Sequence, residues 1–252
     1  MRVTSSPGLA ALASQAEEEM RASGTAARSV HEKAYLKSSL EHAGTPLPVI
    51  RAVARRIRTE HPDFDVTTAF ALADELWKGS LHERRMLAVV TLQQYADSMS
   101  PRHLERLEPF LRQSGTWALV DGLAGDVAAT IVLRHPDDRV VEAVLLRWGA
   151  DQDFWVRRSA LLAHLQTLGR RGRFIGWERF SRLADAMLDE REFFIRKAIG
   201  WVLREAGKHR PGLVVEFVQP RVARISGVTI REAVRYLDQP DRDALLAAYR
   251  AR

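Results

Sequence analysis

The sequence predicts an all-α chain, laid out as a right-handed α-solenoid of repeated helix pairs that forms one domain over residues 1–252. Three observations predict it. Apolar residues recur every three or four positions along most of the chain, no short stretch alternates in the manner of a strand, and an Arg-containing unit returns at a nearly constant interval.

The elements follow in order. Leu36 and Leu40 open the helical pattern, Ile50, Val53 and Ile57 continue it, and Phe70, Ala73 and Trp77 form the next stripe. Leu87, Val90, Thr91 and Gln94 share a face, as do Leu104, Leu107 and Leu111. Between these segments stand stop and start signals at Gly44-Thr45-Pro46, His61-Pro62, Ser100-Pro101, Ser114-Gly115-Thr116 and His135-Pro136-Asp137. Further signals lie at Gly207, Pro211 and Gln239-Pro240-Asp241. Glycine past a helix end, proline in a first turn and Ser, Thr or Asp as an N-cap all punctuate helices. About a dozen helices of roughly 10–16 residues joined by short loops result.

The repeat is carried by Arg158-Ser159-Ala160, Arg196-Lys197-Ala198 and Arg231-Glu232-Ala233, whose first residues (158, 196, 231) are 38 and 35 positions apart. His82-Glu83-Arg84-Arg85-Met86-Leu87-Ala88 is a degenerate earlier copy. A period of roughly 40 residues with two helices per unit marks a HEAT-like solenoid. In such a stack the equivalent arginines would line one concave face as a basic groove for a phosphate backbone. Alternatively each pairs with a carboxylate of the next repeat. Both readings stand on the sequence alone.

Composition narrows the chemistry. The 38 Lys and Arg against 32 Asp and Glu leave a net charge of +6, a balance that suits a polyanionic partner. There is no cysteine, which excludes disulfides, thiolate zinc sites, iron–sulfur clusters and cysteine nucleophiles, and fits a cytoplasmic protein. The first residues, with three consecutive glutamates at 17–19, fit neither a signal peptide nor a transit peptide, and no long apolar run suggests a membrane span. The expectation is a soluble cytoplasmic protein. No Walker loop, GxGxxG or HExxH occurs, and the eight histidines show no metal-ligand spacing with carboxylates on one helix face. Neither metal nor cofactor is expected.

The segment Thr116 to Gly125 is the most informative. Thr116 is a natural N-cap, which places Trp117 and Asp121 at i and i+4 on one helix face, while Leu119, Leu123 and Val127 form a neighbouring core stripe. A carboxylate in so apolar a run costs several kcal/mol if buried unpaired. It is either a functional group or bonded to a nearby Arg or backbone amide. Phe154-Trp155-Val156-Arg157-Arg158 sets two arginines behind two aromatics. The run Phe193 to Glu205 carries Trp201 between Lys197 and Arg204, with Lys208 beyond. By itself Trp201 reads as core.

Together these segments resemble the DNA alkylation repair family of the AlkD type, which are HEAT-like-repeat glycosylases. The resemblance covers most of the chain: Tyr35-Leu36-Lys37, Leu76-Trp77 with the Glu83-Arg84 helix, Trp117-x-x-x-Asp121, Trp155 to Ala160, Phe193 to Glu205, and Arg231-Glu232-Ala233. It implies that Trp117, Asp121 and Trp201 surround a damaged nucleotide. It also implies that Arg158, with Arg157, Tyr35, Lys37, Lys197, Arg204, Lys208 and Arg231, contacts DNA. The loop His42-Ala43-Gly44-Thr45-Pro46 departs from the family pattern, being short and lacking a polar residue before Thr-Pro.

The activity so implied is monofunctional removal of cationic N3- or N7-alkylated purines from double-stranded DNA, with bulky adducts open because deep base flipping is not required. A carboxylate would stabilise the oxocarbenium-like sugar and two indoles would favour a cationic base. No lysine is placed for a Schiff base. The chain is expected to work as a monomer on the nucleoid. A non-catalytic HEAT-repeat protein binding damaged or branched DNA, and a HEAT scaffold for protein partners, are the competing readings. Retention of Trp117, Asp121, Arg158 and Trp201 argues against the first, and the repeated arginines argue against the second.

Overall fold

Side-chain caps start most of the helices. Thr25, Asp65, Thr116, Asp138, Asp153, Glu192, Ser226 and Asp238 each accept a backbone N–H two or three residues on. Each satisfies a donor that the first helical turn leaves unpaired. A computed structural model describes residues 6–170 and 174–252. In order the helices are α1 (Ser6–Ser23), α2 (Ala26–Leu36), α3 (Leu47–Glu60), α4 (Val66–Trp77), α5 (His82–Tyr95), α6 (His103–Gln113), α7 (Trp117–Asp121) and α8 (Ala129–Arg134). There follow α9 (Arg139–Gly149), α10 (Phe154–Leu162), α11 (Trp177–Ala186), α12 (Phe193–Gly207), α13 (Pro211–Val218), α14 (Gly227–Ala233) and α15 (Gln239–Arg250). Among the described residues there is no strand, only an isolated parallel bridge between Glu41 and Leu81. No helix among them is long and apolar enough to cross a membrane.

The chain divides into two compact units, Met1–Met99 with Pro109–Leu123, and Ser100–Glu108 with Ala124–Arg252. In the first, α5 packs on α4, α3 and α1, and α7 reaches α5. Leu72, Leu76, Leu87 and Leu92 are fully enclosed there, each burial stabilising by about 1.5–3 kcal/mol. In the second, alternate helices stack, α10 on α12 and α12 on α14, with α9 and α11 against α10 and α13 against α12. Trp148 and Phe180 are fully buried in this unit, and the Trp148 indole donates to Glu108 at 3.1 Å.

Two elements differ from the periodicity. The helix expected to run through Leu36 and Leu40 stops at Leu36, because Lys37 adopts a left-handed conformation (φ 48°) and its N–H bonds back to the carbonyls of Lys33 and Ala34. That closure is the usual way of ending a helix with a left-handed residue. Several helices are also shorter than expected, α7 having 5 residues and α8 having 6. The segment between those two winds as a π-helical turn over Gly122–Ala128.

Arginines in and beside the repeated units tie neighbouring segments together. Arg84 donates to the carbonyls of Glu75 and Leu76 at the end of α4 and to the Glu17 carboxylate. Arg157 holds the carbonyls of Asp151 and Gln152 and pairs with Glu190, and Arg196 holds the Glu190 carbonyl. A cation over exposed carbonyls satisfies acceptors that a helix cannot pair internally.

A buried pair gives the second unit a pH dependence. His164 is fully enclosed; its Nδ1 donates to the Ala160 carbonyl and its Nε2 accepts from Arg179 Nε at 3.0 Å. Burial, and then the Arg179 charge, push the imidazole down from 6.5 to about 3. Between those values the unfolded chain binds more protons, so stability present above pH 6.5 is lost as pH falls, by on the order of 1.4 kcal/mol per pH unit. Wild type should therefore lose about 2 kcal/mol more than His164→Gln between pH 7 and pH 5. Denaturant midpoints at the two pH values read this out, and equal losses in the two proteins would contradict it.

Candidate functional site

Helix α7 is short and sharply defined. Gly115, at φ 62°, turns the chain into it, and the Thr116 hydroxyl accepts from Ala118 N at 3.4 Å. Leu119 and Val120 are completely buried, which leaves Trp117 and Asp121 half-buried, one helical turn apart. The π-helical turn begins at the next residue. At Gly122 the chain lies hard against α5: a Cβ there would stand 2.6 Å from Val89 Cγ1, so glycine allows this approach. A π-turn inside helical structure is often found at functional positions.

Tyr35, on α2, lies edge-on to the Trp117 indole, with ring centroids 5.8 Å apart and planes at 85°. It also stacks on His31 at 6.4 Å and is 66% exposed. The first unit thus brings together Tyr35, Trp117 and, one turn on, Asp121. Lys37 is exposed at the end of α2.

In the second unit, α12 carries Lys197, half-buried Trp201 and Arg204 on successive turns. Lys197 and Arg204 both pair with Glu232 of α14, and Lys208 pairs with Glu205 at 2.7 Å. Burial works to raise the Glu232 carboxyl, but Lys197 and Arg204 outweigh it and hold the group below its usual range. The close approach of these helices rests on Gly200, where a Cβ would meet Glu232 Cβ at 2.8 Å. Arg158 is 2% exposed; its guanidinium donates to the Phe194 carbonyl and lies over the Phe194 ring. Arg231 is exposed on α14.

The model of the family described as DNA alkylation repair enzyme matches residues 16–237. The chain belongs to the DNA alkylation repair enzyme family. Membership makes it a DNA-binding enzyme of alkylation-damage repair. A solved structure titled a predicted DNA alkylation repair enzyme from Enterococcus faecalis shares the fold, with a TM-score of 0.76 at 22% identity over 86% of this chain and 97% of that one. A second structure, smu.31 from Streptococcus mutans UA159, gives a TM-score of 0.48 at 15% identity over 78% of this chain and 89% of that one. No curated protein gives a significant match.

Within this alkylation repair protein, the 42–46 loop is held by a carboxylate from a distant helix. Glu83, 1% exposed in the first turn of α5, accepts the backbone N–H groups of Ala43, Gly44 and Thr45, the shortest at 2.7 Å from Gly44. Gly44 is required twice over. Its φ is 78°, and a Cβ would stand 2.3 Å from the Thr25 carbonyl oxygen. Thr45 adds a hydroxyl bond to the Met20 carbonyl at 2.6 Å. Sequence reading missed Glu83 because its partners lie about 40 positions away, and missed Glu232 because Arg231-Glu232-Ala233 drew attention to the arginine.

Proposed function

We propose that this alkylation repair enzyme is a monofunctional DNA glycosylase that hydrolyses the N-glycosidic bond of cationic N3- or N7-alkylated purines in duplex DNA. The observation that carries the reading is α7 itself: a capped, glycine-bounded turn that holds a carboxylate and an indole partly open to solvent while Leu119 and Val120 between them are fully buried. Such rigidity is what preorganised electrostatic catalysis requires.

Alkylation at N3 or N7 makes the purine a cation, so its bond to C1′ breaks with the electron pair going to the base, which leaves neutral and needs no general acid. Positive charge develops on the sugar. The Asp121 carboxylate stabilises it, and the water that adds to C1′ gives its proton to that carboxylate or to solvent. Trp117, steadied by Tyr35, favours the cationic base over its neutral parent by about 1–2 kcal/mol through its π-face. Trp201 is assigned a similar role on its place in the family pattern.

The same reading gives DNA contact to Tyr35, Lys37, Lys208 and Arg231, which are exposed. Lys197 and Arg204 reach phosphates by exchanging Glu232 for them. Arg157 and Arg158, tied to Glu190 and Phe194, act by fixing α10.

Charge selectivity tests the mechanism. Matched duplexes carrying N7-methylguanine, which is cationic, or 1,N6-ethenoadenine, which is neutral, should differ in single-turnover base release by about tenfold or more, a difference of ~1.4 kcal/mol. Equal rates would remove the cation-based mechanism. Tight binding with no release would leave a protein that recognises damaged DNA without acting on it.

A further inference from the structure

Beside the loop that Glu83 holds, three potential ligands meet from three separate elements: Glu32 on α2, His42 in the loop and Glu83 on α5. One ligand atom from each lies within 4.8 Å of the other two. Their sequence positions share no helix face, which is why spacing alone showed nothing.

Two observations distinguish this cluster from an ordinary group of polar side chains. His42 is 7% exposed, and both of its ring nitrogens are buried with no hydrogen-bond partner. A buried polar atom left so is costly and demands an occupant. Its ring also stacks on His82, with centroids 4.5 Å apart and planes at 10°, which fixes the imidazole plane. The second observation concerns Glu83. Its Oε1 receives all three loop N–H groups, whereas Oε2 receives only a shared bond from Ala43 N at 3.1 Å. A carboxylate oxygen has two acceptor positions, so Oε2 retains one.

We propose that Glu32, His42 and Glu83 form a binding site for one divalent transition-metal ion, which fastens the 41–46 loop to α2 and α5. One imidazole nitrogen and two carboxylate oxygens suit Zn²⁺, Co²⁺ or Mn²⁺ better than Mg²⁺ or Ca²⁺, which prefer oxygen alone. Two carboxylates also balance the charge of the ion. Ligands of a tetrahedral ion sit about 3.4 Å apart. The half-buried Glu32 side chain, now paired with Arg28 in a helix-surface bridge, supplies the adjustment. The ion's role is structural, and base release does not depend on it in the mechanism above.

The probe is Zn²⁺, with Co²⁺ as its spectroscopic substitute. Full-length protein, freed of any affinity tag and stripped with EDTA, is dialysed against buffered Zn²⁺ and its metal content measured. Wild type should take up one equivalent and melt at a higher temperature for it, and Co²⁺ should give visible d–d bands. Glu32→Gln, on a partly exposed helix face, and His42→Asn, checked for folding by circular dichroism, should each weaken uptake by about tenfold or more and lose the thermal response. Failure of wild type to bind stoichiometrically, or full affinity retained in either variant, would overturn the site.

Discussion

Replacing Asp121 with asparagine should lower single-turnover release of N7-methylguanine from duplex DNA by about 100- to 1000-fold while leaving the protein folded. The expectation follows from what the change removes. Asparagine has the size and one oxygen of aspartate but not its charge, and the proposed transition state develops positive charge on the sugar. Asp121 is the last residue of α7; the residues that hold that helix in place are Thr116 through its cap and Leu119 and Val120 through complete burial. None of these is altered, and the asparagine amide keeps a polar group of nearly the same size where the carboxylate stood. The thermal midpoint should therefore shift little, and DNA affinity measured with an uncleavable lesion analogue should stay within a few-fold of wild type. Rapid-quench assays with enzyme in excess separate the chemical step from product release. A variant within threefold of wild type would mean that Asp121 is a structural carboxylate.

Replacing Glu83 with alanine should cost about 3–5 kcal/mol of folding stability, measured in EDTA so that metal plays no part. Three backbone N–H groups converge on that carboxylate, and two of the residues bearing them, Gly44 and Thr45, are buried. Hydrogen bonds to a charged acceptor contribute about 1.5–3 kcal/mol each, and a buried donor left without a partner adds a comparable penalty. For a chain of this size the thermal midpoint should fall by roughly 10 °C or more. Glu83→Gln keeps an acceptor oxygen and should cost less than half as much. Equal melting of wild type and Glu83→Ala would show that water serves the three amides as well as the carboxylate does.

What the sequence disclosed and what it hid divide along the range of the interactions. The N-cap at Thr116 and the shared face of Trp117 and Asp121 depend on neighbours within one helical turn, and both were legible. So was the recurrence of Arg158, Arg196 and Arg231, whose spacing tracks the stacking of α10, α12 and α14. Its meaning was less accessible. Whether a helix arginine faces a phosphate, a carboxylate or a carbonyl depends on the loop across from it, and Arg84, Arg157 and Arg196 face carbonyls. The close packing of Gly122 after Asp121 was hidden for the same reason, since it is set by Val89, 33 positions away (122 and 89). Leu40 suggested a longer α2 than exists, because apolar spacing carries no warning that Lys37 turns left-handed. Glu83, buried among amides from a distant loop, is the clearest case of a functional anchor with no local signature.

The central claim is that this chain frees an alkylated base and leaves the sugar–phosphate strand whole. Mass spectrometry of the products from a duplex holding a single N7-methylguanine, incubated with stoichiometric protein in EDTA, tests it most directly. The account predicts free N7-methylguanine together with an intact strand bearing one abasic site, both reduced in step by Asp121→Asn. Recovery of the lesion still attached to its sugar, or loss of only the methyl group with guanine left in the strand, would contradict it.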